Sequence, residues 1–210
     1  MDIVTGEIYH VYTKSIAEFV VFNTDADFLR IKELFQYYEI EKHLVSFSKF
    51  KKRNMQQSEK SMIDKEKLVQ IICYCPMPTH IHLILKQLKD KGITEFMRRV
   101  LDSYTRYFNI KHNRKGPLWE GRFKKVIVES DEQLLHLTRY VHLNPVTAYI
   151  VNNPADWQWS SYQEYLSGKE DGICKYKDIL DIKPDVYKKF VEDRISYQRE
   201  LAKIKNSMLD

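Results

Sequence analysis

The sequence predicts an α+β fold: an antiparallel sheet with helices on one face, plus one extra helix that carries a tyrosine. Three observations support this. Apolar alternation or short apolar runs mark strands at Glu7 to Tyr12, Leu68 to Cys75, His80 to Lys86 and Phe123 to Glu129. Helical stripes separate the first strand from the second and the third from the fourth. A Pro76-Met77-Pro78-Thr79 turn joins the middle pair directly, because two prolines cannot sit in a central ladder. The order is β-α-β-β-α-β followed by a helix, which is that of a ferredoxin-like (RRM-like) sheet.

Each element has a local reason. Phe19 to Phe22 reads as a further strand after a turn. Thr24 or Asp25 then caps a helix whose stripe is Phe28, Ile31, Phe35 and Tyr38. From Glu39 to Lys67 the pattern degrades into Lys, Ser and Gln, and we read it as an inserted, basic, partly mobile arm. A long helix from about Thr94 to Lys111 aligns Phe96, Met97, Val100, Leu101, Tyr104, Tyr107 and Phe108. Ser130 and Gln133 form a capping box for the extra helix, and Pro145 is expected to close it after Asn144. Residues 1–168 are taken as the main domain with the 39–67 insertion. The tail, 169–210, is charged and expected to be helical near Tyr187 to Lys205.

Hydrophobic and charged contents of 43% and 30% suit a soluble globular protein and exclude a disordered chain. No apolar run is long enough to span a bilayer, and the first residues lack the charged-then-apolar pattern of a signal peptide. Three cysteines cannot close a disulfide set, and Cys73 and Cys75 lie in an apolar run, so reduced core thiols and a cytoplasmic location are expected. The net charge of +5 is unevenly placed. Between Arg98 and Lys125 stand Arg98, Arg99, Arg106, Lys111, Arg114, Lys115, Arg122, Lys124 and Lys125, against only Asp102 and Glu120. Such a window suits a polyphosphate partner, although a solvated helix face and loop give the same pattern.

His80 and His82 leave the same face of their strand, where two imidazoles a pleat apart can share one metal ion. Two ordinary histidines on a half-exposed strand remain the alternative. Ile84 at the next position excludes a third alternating histidine. Tyr140 and Asn144 lie one turn apart on the extra helix, with Cβ atoms about 5–6 Å apart. Asn144 offers an amide oxygen to a hard ion, and Tyr140 would reach a phosphate beside it. The competing reading makes Tyr140 a core aromatic and Asn144 a helix cap. His136, a further turn back, is a candidate to orient Tyr140 or an ordinary surface histidine.

Five segments together carry a resemblance. Cys75 to Leu85 (Cys-Pro-Met-Pro-Thr-His-Ile-His-Leu-Ile-Leu) resembles the His-x-His hairpin of the single-tyrosine HUH transposases, and Tyr140 to Val146 resembles their tyrosine helix. Leu118 to Lys124 and Trp157 to Tyr162 match two further family signatures, and Tyr9-His10-Val11-Tyr12 is similar to the first strand. The likeness runs from about Ile8 to Leu166 and is nearest the branch of REP-associated tyrosine transposases. Pro76 and Thr79 depart from the usual wording, the 39–67 arm is longer than expected, and the tail has no counterpart.

The resemblance implies that Tyr140 is the nucleophile and that His80, His82 and Asn144 hold a divalent metal, Mg²⁺ or Mn²⁺. It implies cleavage and rejoining of single-stranded DNA, at a hairpin in repeat ends, through a 5′-phosphotyrosine, by a homodimer. Arg98, Arg99, Arg106, Arg114, Lys115, Arg122, Lys124 and Lys125 would neutralise the DNA backbone, and Trp119 or Phe123 would stack on bases or pack in the core. Two rivals stand beside this: a domesticated, non-catalytic nucleic-acid-binding module, and a metal-dependent phosphoesterase that uses water.

Overall fold

A computed structural model describes residues 2–43, 45–52, 66–169 and 171–207. Four strands, β1 (Ile8–Lys14), β2 (Val69–Met77), β3 (His80–Gln87) and β4 (Lys124–Val128), form one antiparallel sheet in the order β2-β3-β1-β4. With helices α1 (Asp25–Tyr38) and α3 (Gly92–Lys111) between them, this is the ferredoxin-like arrangement. A short α2 (Phe47–Lys52) lies in the 39–67 insertion, whose central stretch, 53–65, falls outside the described residues.

The pleat sorts the strands onto two layers. Tyr9, Val11, Ile81, Leu83, Leu85 and Tyr74 face α1 and α3, where Phe35 meets Tyr74 and Phe96. Of the stripe expected for α3, Phe96, Met97, Val100, Leu101, Tyr104 and Phe108 are buried, and Tyr107 is half-buried. The opposite layer carries His10, Tyr12, His80, His82, Cys73 and Cys75, and is covered by α4 (Asp131–Thr147). A register shift between Ile71 and Cys73 lets β2 present apolar residues to the first layer before the bulge and Cys73 to the second after it.

Three expectations need correction. Pro76 and Met77 do not belong to the turn but extend β2, opposite Ile81 and His80; β2 is an edge strand, where a residue without an N–H is tolerated. Phe19 to Phe22 is not a strand. After a short 3-10 turn at Ile16–Glu18 the chain runs irregularly, with Val21 and Phe22 donating their amides to Pro78 O. The run is apolar because Val21 and Phe22 are buried, not because it pairs in the sheet. Nor does Pro145 end its helix, which continues to Thr147. Proline leaves the carbonyl four residues back without a donor, and the Asn144 side-chain amide lies 3.4 Å from that atom, Val141 O.

Residues beyond Gly168 pack onto the same body. Helices α6 (Pro184–Glu192) and α7 (Ile195–Ser207) pack against α4, with Tyr176, Tyr187 and Val191 joining the core, and the preceding helix α5 (Tyr162–Ser167) packs against α6. Cys73, Cys75 and Cys174 are buried and free. Among the described residues no helix is long and apolar enough to cross a membrane.

Candidate catalytic and metal site

The site is built where the second layer of the sheet meets α4. Strand β3 supplies His80 and His82, with ring centroids 5.0 Å apart. In β1, Tyr12 lies directly opposite His82 and His10 opposite Ile84, so His10 enters diagonally. His10 Nε2 is 3.0 Å from His82 Nδ1. Helix α4 brings the Tyr140 ring to 5.7 Å from that of His82 and 6.1 Å from that of His10, edge-on to both. Together with Tyr12, Thr13, Lys14, Val126 and Asn144 these residues line an open pocket of about 510 Å³.

Burial controls the charge of these groups. Desolvation lowers His10 to about 4; it also lowers His80 to about 4, with help from Lys14. His82 is pushed well below its ordinary value by burial, then by His80, His10 and Lys14. All three imidazoles are therefore neutral near pH 7, with ring nitrogen lone pairs that no proton occupies. Thr79 Oγ1 lies 3.0 Å from His80 Nδ1, and His10 occupies Nδ1 of His82. His80 and His82 are thus each oriented from Nδ1, with Nε2 left for a ligand. Tyr140 is 42% exposed, and partial burial, then Tyr12, raises its pKa. The pocket therefore receives a protonated phenol.

Asn144 donates its amide nitrogen to Tyr140 O at 3.0 Å, so Oδ1 is the atom remaining to meet a cation. Among the described residues no group of three or more His, Cys, Asp or Glu can hold a metal ion. The available donor set is two imidazoles and one amide oxygen, all neutral. Such a set suits a divalent ion that fills its other positions with oxygens of water or phosphate.

The structure thus gathers Tyr140, His80, His82 and Asn144 around one pocket. It does not bring His136 there. That ring meets Arg139 and the Phe190 ring of α6 instead. The nominated cations divide. Arg98, Arg99 and Arg106 line a second pocket of about 490 Å³ against Tyr37 and Glu41, on the α3 side of the sheet. Arg98 and Arg99 are there paired with Glu95. Lys124 lies opposite Tyr12 on the site face, while Lys125 is turned to the other. Arg114 hydrogen-bonds Asn109 and Pro117 O, and Lys115 and Arg122 are exposed in the loop that leads to β4. Trp119 is core: it is 8% exposed, and its Nε1 donates to Thr105 Oγ1. Phe123 is half-buried and packs on the core.

Sequence reasoning assigned no role to His10, Tyr12 or Lys14, although His10 shares the alternation that places Tyr12 on the same face. It also passed over His142, which is wholly buried between Cys73, Ser161 and Tyr187.

A ferredoxin-like sheet with a His-x-His strand facing a tyrosine across one pocket defines the class: a single-tyrosine HUH domain. The family described as "Transposase IS200 like" matches residues 36–144, which include His80, His82, Tyr140 and Asn144, and the chain belongs to that family. It is also similar to a Haemophilus influenzae protein described as a REP-associated tyrosine transposase, with 27% identity over 104 residues. That match covers 44% of this chain and only 58% of the relative's length. A solved structure of a REP-associated tyrosine transposase bound to a REP hairpin shares the fold, with a TM-score of 0.56 at 14% identity. The likeness extends over 85% of this chain and 90% of that one.

Proposed function

We propose that this protein is a transposase that cleaves and rejoins single-stranded DNA through a covalent 5′-phosphotyrosine on Tyr140. The observation that carries the reading is the convergence of the Tyr140 ring, 5.7 Å from that of His82, with His80 and Asn144 around one open pocket. His80, His82 and Asn144 would hold Mg²⁺ or Mn²⁺. When bound, the ion supplies Lewis-acid polarisation of a nonbridging phosphate oxygen.

The phenol oxygen of Tyr140 forms a bond to phosphorus, the bond to the 3′ oxygen breaks, and that oxygen takes up a proton as a free hydroxyl. The phosphodiester energy is kept in the new ester, so rejoining needs no ATP. The phenol proton must leave. Its raised pKa means that unaided ionisation is rare at pH 7, and loss of the proton accompanies attack.

The substrate in this reading is a DNA hairpin with single-stranded flanks, as the solved relative's bound hairpin suggests. Lys14 in the pocket wall, Lys124 on the same face of the sheet, and Arg114, Lys115 and Arg122 in the segment leading to β4 would neutralise its backbone. Arg98, Arg99, Arg106 and Lys125 would contribute only where the DNA wraps beyond that face. Residues 1–168 would be the catalytic domain with the 39–67 insertion, and 169–210 would brace α4. A homodimer and a cytoplasmic setting belong to the same reading, and the mass in solution tests the former.

The test is incubation with end-labelled hairpin DNA and Mg²⁺ or Mn²⁺, resolved on a denaturing gel. A protein–DNA adduct, abolished by EDTA and absent in Tyr140→Phe, is expected. Free cleaved strand with Tyr140→Phe still active would establish a water-using phosphoesterase instead. Binding without cleavage would establish a non-catalytic module.

A further inference from the structure

Immediately after β1 the chain does something expensive. Ala17 and Glu18, neither of them glycine, both adopt left-handed backbone conformations, with φ of 49° and 55°. Both are conformations that L-residues disfavour. The result is that Phe19 and Val20 are held 52% and 50% exposed, while Val21 and Phe22 beside them are buried. Surrounding contacts enforce this shape. Ser15 Oγ donates to Phe19 O, Ile16 N to Leu118 O, and Val21 N to Pro78 O.

The position matters as much as the exposure. Ser15 N donates to Thr79 O at 2.8 Å, and Thr79 Oγ1 is 3.0 Å from His80 Nδ1. The loop is therefore fastened to the turn that carries His80. On its other side, Glu120 N donates to Lys14 O, and the Arg114 guanidinium stands 5.6 Å from the Phe19 ring centre. That guanidinium is pinned by Asn109 Oδ1 and Pro117 O. Lys14, Lys115, Arg122 and Lys124 are exposed at this end of the sheet, against Glu18 and Glu120. An exposed aromatic ring beside a fixed guanidinium, inside a net positive rim, is complementary to an unpaired nucleobase and its phosphates.

We propose that Phe19, backed by Arg114, is a stacking platform for one unpaired base of the DNA strand that runs into the pocket. This rests on the proposed transposase reading for its substrate but not for its chemistry. Phe19 touches no group of the catalytic pocket, and its removal leaves the core intact.

The experiment uses the full chain without added metal and two fluorescein-labelled hairpins, one blunt and one with single-stranded flanks. Phe19→Ala is expected to weaken binding of the flanked hairpin by about 5- to 100-fold and to leave the blunt hairpin unchanged. Phe19→Trp should restore binding, and its added indole emission should be quenched by the flanked hairpin alone. Unchanged affinity for the flanked hairpin, or equal loss for both, overturns the proposal. So does a change in the mass of the protein in solution without a change in DNA affinity, which would make the patch a contact between copies. The two readings fail separately. Absence of a Tyr140 adduct with the flank effect intact removes the chemistry and keeps the platform.

Discussion

The sharpest quantitative expectation concerns His142, two residues from Tyr140 on α4. Its ring is wholly buried. Nδ1 lies 2.7 Å from Tyr187 OH, and Nε2 lies 2.7 Å from Ser161 Oγ and 3.3 Å from Cys73 Sγ. Burial lowers its pKa from 6.5 to about 3. Between those values the folded protein keeps the ring neutral while the unfolded chain protonates it. The unfolded state then binds more protons, so stability contributed by the neutral ring is complete above pH 6.5 and falls as the pH drops toward 3. From pH 7 to pH 5 the loss is about 2 kcal/mol, at roughly 1.4 kcal/mol per unit of pH over the linear range. Other groups titrate over the same interval, His10, His80 and His82 among them, so wild type alone cannot isolate this one. His142→Gln can, because every other group is shared and cancels in the difference. The variant should be less stable than wild type at pH 7 by about 1–3 kcal/mol, from weakened hydrogen bonding to Ser161 and Tyr187. That gap should narrow by about 2 kcal/mol at pH 5. Urea unfolding followed by circular dichroism at pH 7, 6 and 5, with EDTA present, measures it. A gap that stays constant across the three pH values would refute the argument.

Further expectations follow from the pocket and its rim. Replacing His10 by Phe removes the partner of His82 Nδ1 and should lower Mn²⁺ affinity about 10-fold or more by calorimetry, with the thermal melt little changed; equal affinity would show that His10 does not orient its neighbour. Asn144→Ala should abolish Mn²⁺ binding and also lower stability by about 1 kcal/mol, because the side-chain amide no longer reaches Tyr140 O and Val141 O. Arg122→Ala or Lys124→Ala should each reduce the salt slope of hairpin binding by about 1, whereas Arg98→Ala, whose guanidinium is paired with Glu95, should change it less. His136→Ala should leave the adduct rate unchanged, since its ring faces Phe190 rather than the pocket.

The parts of this architecture legible in the sequence are those fixed by local period. Alternation alone puts His80 and His82 on one face and Ile81, Leu83 and Leu85 on the other, and helical spacing alone stacks Asn144 on Tyr140. What local period cannot express is register. His10 enters the site because β1 pairs with β3 so that Tyr12 meets His82. Shifting that pairing by one residue would turn His10 into the other layer. The apolar run Phe19 to Phe22 misleads for a related reason. Two of its residues are buried by the loop's own path beneath Pro78, and the other two are turned outward. Pro145 misleads because the rule that proline ends a helix assumes an unmet carbonyl, and here Asn144 meets it.

The same long-range contacts explain why the tail, silent about chemistry as a sequence, bears on the site as a structure. A phenol on a single helix above two imidazoles is useful only if that helix cannot slide or roll. Toward the sheet, α4 is held by His142 against Cys73. Away from it, the Arg139 guanidinium lies 4.1 Å from the centre of the Phe190 ring, and Arg199 donates to Val146 O and Val151 O. His142 joins the two sides, because its other nitrogen reaches Tyr187 of α6. The stripe that Tyr140 and Asn144 occupy is left uncovered by either layer and opens on the pocket. Bracing both flanks of α4 fixes the one edge that must stay bare, and the hydroxyl is thereby aimed by residues that never touch it.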